Sequence, residues 1–392
     1  MLKTIFKPNR EIAPNQLVDA LTAVMQGYLP LDFQHTRITP EEAWQILAYA
    51  SVNQQTIDGA CAALPDAPSG NRLREVLLPA LPPLPRLQGR LNRIFRQQLH
   101  PSLFKKTRPF QIAIDLTLIP YHGQPEASAD EVMRGEAKSG TTHFHGYATV
   151  SIVHDKRRYT LALLFVRLGQ TMVEVVRQLL GRVKRLKIQV RRVYLDAGFC
   201  SVPVLKTLHR RQLPYLLPLP ARGKSGGVRK LFTRRKSYLT SYTLHSPKNG
   251  AWTVQAVALR RYHKGRYGKH GVKWFAYAIS GLPRQTPPAQ VFEWYRRRFG
   301  IETSYRQMNQ LRARTTSRSP VLRLLLVGLA FMLVNLYVTL RRALVVGIAP
   351  PTDPATGLPL SLDRMAAAFR QAIEVLLGSH RSFLCRQPVA FS

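Results

Sequence analysis

The chain has 392 residues, 45% of them hydrophobic, which is enough to fold into two or three domains. Its 58 Lys and Arg against 21 Asp and Glu give a net charge of +37, which predicts a polyanionic partner, usually nucleic acid. Cys61, Cys200 and Cys385 form no closely spaced pair, which excludes a disulfide framework or zinc site and favours a reducing, cytoplasmic compartment. The first 15 residues lack a long apolar core, so no signal peptide is expected.

Residues 1–105 are predicted to form a helical DNA-binding domain. The string TPEEAWQILAYA begins a helix with Thr39 as N-cap, Pro40 at the first helical position and Glu42 closing a capping box. Two further short helices follow it. The three could form a helix-turn-helix or any small helical bundle. In the first case the reading helix would present Asn71, Arg72 and Arg74.

The remainder of the chain predicts an α/β domain with an insertion. Residues 78–90 are rich in proline and are interpreted as a linker. Period-two strands alternate with amphipathic helices over 106–220, which is an α/β layer pattern. Residues 221–285 combine Gly/Lys/Arg-rich loops with β patterns and predict a small, basic β insertion. Residues 286–346 resume the α/β domain, and 347–392 form a linker and a C-terminal helix.

The segment 321–340 is apolar and just long enough to cross a bilayer. Arg323 and Asn335 interrupt it, and the sequence contains no second such segment. A buried core helix is therefore the preferred interpretation, and no membrane partner is predicted.

Acidic residues are so scarce that their positions are informative. Asp115 lies in a predicted strand, on the face opposite that strand's row of apolar residues. Aspartate is uncommon in strands, so this position is informative. Asp196 ends a hydrophobic strand, where ligands of open α/β sheets collect. Between Asp196 and Glu293 there are 18 Lys or Arg and no acid. An acid in such a basic environment is expected to hold a cation other than arginine, and a divalent metal ion fits.

The string EWYRRRFGIETSYRQMN, residues 293–309, predicts one long helix. At about 100° per residue, Glu302 shares a narrow face with four other residues, whereas Glu293 lies on the back. The four are Tyr295, Arg298, Arg306 and Asn309. The simple alternative is an i,i+4 ion pair between Arg298 and Glu302, worth about 0.3–0.5 kcal/mol.

Together, Asp115, Asp196 and Glu302 supply three carboxylates from two strands and one helix. Such a set can hold two Mg²⁺ ions about 3.5–4 Å apart, as in enzymes that cut phosphodiesters. Mg²⁺ is a hard ion that prefers carboxylate, water and phosphate oxygens. The acids therefore predict a metal-dependent phosphodiester chemistry.

These residues resemble the Asp-Asp-Glu (DDE) triad of insertion-sequence transposases. One branch of that family carries the signature Y-x2-R-x3-E-x6-K and a β insertion before the glutamate. Tyr295, Arg298 and Glu302 match its spacing, and residues 221–285 match the insertion. The resemblance covers roughly 108–340 and implies a ribonuclease H-like catalytic fold, a mixed sheet with flanking helices. The signature lysine position holds Asn309, which carries no charge; Arg306 or Arg312 would then supply the cation to phosphate.

The resemblance implies binding of double-stranded DNA at terminal inverted repeats, hydrolysis that frees a 3′-OH, and attack of that 3′-OH on target DNA. It also implies Mg²⁺, with Mn²⁺ as a substitute, a homodimer in the synaptic complex and a place at the nucleoid. The DNA contacts would be Tyr295, Arg298, Arg306, Asn309 and Arg312. Three other interpretations stay open: a catalytically inactive DNA-binding derivative, a structure-specific nuclease of the same fold, and a membrane-associated basic protein.

Overall fold

The computed structural model describes residues 12–104, 109–153, 158–264, 270–283, 285–296, 298–343, 345–346 and 358–379. The chain divides into two compact units. The helical unit comprises Met1–Ile94 and Gln307–Ser392, and the sheet unit comprises Phe95–Arg306. The first 94 residues thus pack with the chain that follows residue 306. The division into domains predicted from the sequence stays a prediction.

The helical unit begins with short helices whose first turns are capped as the sequence indicates. Thr39 accepts a hydrogen bond from the Glu42 N–H, and the Glu42 carboxylate accepts one from the Thr39 N–H. The hydroxyls of Thr56 and Ser69 cap the next two helices by accepting from the N–H groups of Gly59 and Arg72. The helices are α1 (Pro14–Tyr28), α2 (Pro40–Val52), α3 (Ile57–Ala63), α4 (Gly70–Ala80) and α5 (Leu84–Gln98).

The predicted proline-rich linker over 78–90 is wrong, because most of it is helical. Pro79 lies inside α4 one residue before its end, and Pro85 is the second residue of α5. Proline is tolerated in the first turn of a helix, where its missing N–H would have had no intrahelical partner. Only the few residues between α4 and α5 are non-helical.

The long apolar segment forms α10 (Pro320–Ala343), a core helix of the helical unit. Its length and composition would allow a membrane span, but 94% of its most apolar window is buried in the protein. The two polar interruptions are accommodated there. Arg323 donates to the carbonyl oxygens of Ser317 (2.6 Å) and Thr315 (3.2 Å), and Asn335 is fully buried. The segment is therefore a buried core helix, as the sequence predicted.

The helical unit is completed by elements at the end of the chain. A two-stranded sheet joins β10 (Val345–Val346) and β11 (Leu358–Pro359), and α11 (Leu362–Leu377) packs on α1 and α2. Most of the linker predicted over 347–359 lies outside the described residues.

The sheet unit is built on a mixed sheet that has nine strands within the described residues. The strands are β1 (Phe110–Pro120), β2 (Met133–Lys138), β3 (Thr141–Ile152), β4 (Thr160–Val166), β5 (Val190–Leu195), β6 (Tyr215–Pro218), β7 (Tyr238–Ser246), β8 (Gly250–Lys264) and β9 (His270–Ser280). Their order is β2-β3-β1-β5-β6-β9-β8-β7, and β4 pairs with the second half of β3. The predicted α/β class is confirmed.

Pairing directions define the half of this sheet that contains β1, β3, β5 and β6. β3 runs antiparallel to β1, whereas β5 runs parallel to β1, and β6 runs parallel to β5. Helices α6 (Met172–Arg185) and α7 (Val202–Arg210) connect the parallel strands. A parallel pair needs such a crossover, so the helix-strand-helix order in the sequence forces this arrangement. β2 was not anticipated: MRGEAK alternates apolar with charged residues, but after Met133 its apolar positions are Gly135 and Ala137, which strands disfavour.

The predicted β insertion forms three strands that extend the main sheet rather than a separate one. β9 pairs antiparallel with β6 over four positions, from Tyr215↔Ser280 to Pro218↔Tyr277. β8 then pairs with β9, and β7 with β8. Helix α7 packs on β7 and β8, so the insertion also shares a helical cover with the sheet.

The helix predicted across residues 293–309 is interrupted. α8 (Pro288–Arg296) ends before α9 (Phe299–Gln310) begins, and Arg298 lies in the turn between them. The Arg298 N–H donates to the Tyr295 carbonyl, three residues back, and Gly300 weakens helix formation on the other side. Tyr295 and Glu302 therefore belong to different helices and do not share the face of a single one.

Candidate active site

The two aspartates are neighbours because of the strand register. Ile114 of β1 pairs with Leu195 of β5 in a parallel ladder, so the next residues, Asp115 and Asp196, lie side by side. β5 ends at Leu195, which places Asp196 outside the carboxyl end of the strand. Asp115 lies within β1 opposite Thr149 of β3. The sheet therefore brings two carboxylates together, one buried and one half-exposed.

Glu302 reaches the same place from the first turn of α9. Tyr305, three residues later on that helix, fixes α9 to the sheet. Its hydroxyl donates to the Asp115 carbonyl oxygen (3.0 Å) and accepts from the Thr149 hydroxyl (2.8 Å). Burial raises the pKa of Tyr305 well above its usual value, so the hydroxyl keeps its proton. The helix that carries Glu302 is thus bonded to the strand that carries Asp115.

Arg298 joins the three carboxylates. Its Nη1 lies 3.0 Å from Asp115 Oδ2, and its Nη2 lies 3.5 Å from Asp196 Oδ1 and 3.2 Å from Glu302 Oε1. The arginine side chain is only 7% exposed, and the Asp115 side chain is 12% exposed. Each acid of the predicted triad therefore contacts the same guanidinium group.

Burial and neighbouring charges have opposite effects on the pKa values of Asp115 and Arg298. Burial raises the pKa of Asp115 to about 6; Arg298 and the Leu116 N–H oppose the rise, and Asp196 and Glu302 add to it. Burial by itself lowers the pKa of Arg298, but Tyr295 and the three carboxylates raise it above its usual value. The guanidinium stays charged, while Asp115 titrates near neutrality.

Tyr295 closes one side of the cluster. Its hydroxyl lies 3.5 Å from Asp196 Oδ1 and from the Leu195 carbonyl oxygen, and the Arg298 guanidinium lies 5.3 Å from its ring centroid. Burial raises the pKa of Tyr295 far above its usual value, so it acts here as a hydrogen-bond donor. Tyr277 of β9 packs against the ring, which connects the insertion to this site.

The two glutamates of the arginine-rich stretch have different surroundings. Glu293 forms exposed ion pairs with Arg296 (3.3 Å) and Arg261 (3.5 Å). Glu302 instead faces Asp115 and Asp196 across Arg298. The i,i+4 pair of Arg298 and Glu302 does form, but it is one edge of the three-carboxylate cluster.

The residues predicted to contact DNA divide into buried and exposed sets. Tyr295 and Arg298 are buried against the carboxylates, whereas Arg306 and Asn309 are exposed on α9 and Arg312 is half-buried after its end. Phosphate contact by any of the five stays a prediction.

The sequence analysis did not identify Thr149 and Tyr305 as site residues. Tyr305 follows Glu302 by three residues, a helical spacing that would have placed both on adjacent faces.

The carboxylates have the chemistry that a divalent metal requires. Among the residues the structure describes, no group of three or more His, Cys, Asp or Glu is close enough to form a metal site by itself. The Arg298 guanidinium lies between Asp115, Asp196 and Glu302 and accounts for their spacing. All three acids already share one cation, and carboxylate oxygens are the ligands that Mg²⁺ prefers. The donor set therefore fits that ion.

A comparison of the sequence with protein families decides the identity. The family described as "Transposase DDE domain" matches residues 108–336, more than half of the chain. The chain belongs to the transposases with a DDE domain. The matched region contains the sheet unit's strands and the three carboxylates, so the predicted family is confirmed. A comparison with curated protein sequences gives no match.

Solved structures support the fold of this transposase. The piggyBac transposase, in a synaptic complex with hairpin DNA, aligns with a TM-score of 0.54 and 13% sequence identity. The alignment covers 97% of this chain and 81% of that one. Kluyveromyces polysporus Argonaute with a guide RNA gives a TM-score of 0.22 at 9% identity, covering 67% and 33% of the two chains, which is too low to indicate a common fold.

Proposed function

We propose that the chain is an insertion-sequence transposase that cuts DNA at the ends of its own element and joins the freed 3′-OH to target DNA. One observation carries the proposal. Asp115, Asp196 and Glu302, which are far apart in the sequence, converge on a single cation in a domain of the DDE family. Three carboxylates that share a cation are suited to bind the metal ions of phosphodiester cleavage.

Asp115, Asp196 and Glu302 would hold Mg²⁺, with Mn²⁺ as a substitute. Bound metal ions of this kind activate an attacking oxygen and stabilise a leaving one, which a charged phosphodiester needs. The protein supplies the positioning. The Leu116 N–H bonds to the Asp115 carboxylate, Tyr305 bonds to the Asp115 carbonyl oxygen, and Tyr295 bonds to Asp196. These contacts hold the two aspartates in place.

Duplex DNA is the substrate that the charge favours. The chain carries +37, and residues 111–392 hold 45 Lys and Arg against 13 Asp and Glu. The piggyBac neighbour is described as a synaptic complex with hairpin DNA, which supports DNA as the partner here. The substrates would be the terminal inverted repeats and the target, held by a homodimer in the cytoplasm at the nucleoid. Contact with about 8 phosphates predicts a log–log salt slope near −7.

A second candidate is a catalytically inactive relative that only binds DNA. The observation in its favour is Asn309 at the position of the signature lysine. Arg306, exposed on the same helix, would compensate for the missing charge in the active enzyme.

Strand cleavage separates these two candidates. A duplex containing the DNA that flanks the reading frame would be incubated with the purified chain and Mg²⁺, and new 3′-OH ends would be mapped. We expect cleavage at the boundary of an inverted repeat. Specific binding of that duplex without any Mg²⁺- or Mn²⁺-dependent cleavage would favour the inactive relative. Absence of binding to the duplex would refute both.

Asn309→Lys is expected to tighten DNA binding without loss of stability. Asn309 is exposed next to the last residue of α9, where a cation also interacts favourably with the helix dipole. If the new lysine contacts a phosphate, the log–log salt slope should steepen by about 0.9. Gln310→Lys is the matched control, since Gln310 is the exposed neighbour on a different face. An equal change in both variants, measured by salt titration, would show that only bulk charge matters.

A further inference from the structure

Helix α5 carries an arginine face that the active site does not use. Arg86, Arg93 and Arg96 are exposed on it, and Arg90 is half-buried. There is no acidic residue anywhere between Glu75 and Asp115. Among the described residues, none of these four arginines has an ion-pair partner. The face is therefore a concentrated and unneutralised positive charge.

The buried face of α5, next to the arginine face, fixes the orientation of the helix. Leu87, Leu91 and Ile94 are each 0% exposed. Gly328 of α10 lies against Leu91 so closely that a Cβ at Gly328 would be 2.7 Å from a Leu91 methyl carbon. A helix packed at that distance cannot rotate to bury its charges. Arg86, Arg90 and Arg93 are therefore held outward by the core of the helical unit, and Arg96 follows Ile94 at the start of the sheet unit.

The spacing of the arginines matches a run of phosphates. Arg86, Arg90 and Arg93 follow the i, i+4, i+7 pattern, so they form one stripe about 10 Å long. Phosphates of one DNA strand recur about every 3.4 Å along the duplex axis and also wind around it. The stripe lies beside about two of them, and the long arginine side chains extend its reach to a third. The planar guanidinium group can bind a phosphate with two parallel hydrogen bonds.

Helix α4, the predicted reading helix, is a weaker candidate for gripping phosphate because its charges are already paired. Arg72 contacts Glu75 at 3.1 Å, and Arg74 contacts both Asp58 of α3 and Asn71. The charges of these two arginines are cancelled by those of Glu75 and Asp58. A binding phosphate would have to displace a carboxylate there, but not on α5.

We propose that the arginine face of α5 (Arg86, Arg90, Arg93 and Arg96) holds the sugar-phosphate backbone of duplex DNA and so positions the helical unit on the element. A membrane surface fits less well, because a helix lying on lipid needs an exposed apolar face and that of α5 is buried. Contacts of this kind orient a protein on DNA without reading sequence. The inference rests on the proposed function, which supplies DNA as the polyanion.

The test is the salt dependence of DNA binding by the full chain in which Arg86, Arg90 and Arg93 are all replaced by glutamine. Loss of three phosphate contacts should make the log–log slope shallower by about 2.7 and weaken binding on the order of a hundredfold at 0.1 M salt. The loss should be similar for an element-end duplex and for random duplex. A melting temperature checks the fold, and the single variants, each expected to change the slope by about 0.9, serve if the triple variant does not fold.

Two controls make the result specific. The triple change Arg341→Gln, Arg364→Gln and Arg370→Gln removes the same charge from exposed sites of the same unit, and should change the slope by less than one. Arg72→Gln with Arg74→Gln tests α4 directly. An unchanged slope in the α5 variant, an equal change in the control triple, or a loss of binding only to anionic lipid vesicles would overturn the inference. Wild-type chain that binds no duplex at low salt would instead refute the proposed function, and the role of α5 with it.

Discussion

Glu302→Gln is expected to lower metal-dependent strand cleavage by more than about 10²-fold, since even changes outside the ligand set of metal sites can cost that much. Folding should be nearly unaffected, because the Glu302 side chain is 49% exposed and its ion pair with Arg298 is worth little. DNA binding should be unchanged or slightly stronger, since a negative charge near phosphate is removed. The measurements are cleavage of an end-containing duplex in Mg²⁺ and a melting temperature.

Glu293→Gln is the matched control, nine residues away in the same arginine-rich stretch. Its carboxylate makes exposed ion pairs with Arg296 and Arg261, so activity should persist and stability should change by less than about 0.5 kcal/mol. Asp115→Asn and Asp196→Asn should lower strand cleavage as much as Glu302→Gln does, and no pair of these changes should lower cleavage more than one alone. Cleavage that survives Glu302→Gln, or is lost equally in Glu293→Gln, would remove Glu302 from the catalytic set.

Arg298→Met should destabilise the metal-free protein by about 3–5 kcal/mol, because it leaves the buried Asp115 carboxylate without its counterion. The double variant Asp115→Asn with Arg298→Met should lose much less than the sum, since the stranded charge is gone. Denaturant unfolding at pH 7 with a chelator present measures both. Arg296→Met is the control: its side chain is 57% exposed and pairs with Glu293, so a loss below about 1 kcal/mol is expected.

The same change should alter how stability depends on pH. The pKa of Asp115 is about 6 in the fold, above its ordinary value of 3.8, so the folded state binds this proton more tightly than the unfolded state does. This carboxyl therefore lowers stability as pH rises from about 4 to 6, and its effect is constant above that range. Arg298→Met removes the group that opposes the rise in the pKa of Asp115. The pH range over which this carboxyl lowers stability should therefore extend to higher pH. Equal unfolding free energies for Arg298→Met and Arg296→Met at pH 7 would contradict this account.

Local patterns in the sequence predicted the sheet and the position of its acids. Alternation identified β1 and its neighbours, and the end of the hydrophobic string IQVRRVYL located Asp196 at a strand terminus. The parallel pairing that makes Asp115 and Asp196 neighbours follows from the crossover helix between β4 and β5. The adjacency of the two aspartates was therefore predictable, because secondary structure and topology together determine where strands end. The catalytic role of the three acids stays a prediction.

Features that depend on tertiary contacts were not predictable in the same way. A helical wheel assumes a continuous helix, but the turn at Arg298 separates α8 from α9, and three acids distant in sequence surround its side chain. The proline-rich segment was misread because composition does not show that Pro85 would fall in a first helical turn. Met133 is the one large apolar residue in the alternating pattern of β2, and the pairing with β3 defines this strand.

The ladder between β6 and β9 limits how this enzyme can be shortened. β6 has only four residues, and Leu216 and Leu217 within it are fully buried while β5 lies on one side and β9 on the other. Joining residue 220 directly to 286 would remove β9 and so leave the N–H and C=O groups on one side of β6 unpaired. This apolar strand would then form an open edge of the sheet. Such an edge recruits strands from other molecules, so the excised protein is expected to aggregate rather than yield a soluble minimal nuclease.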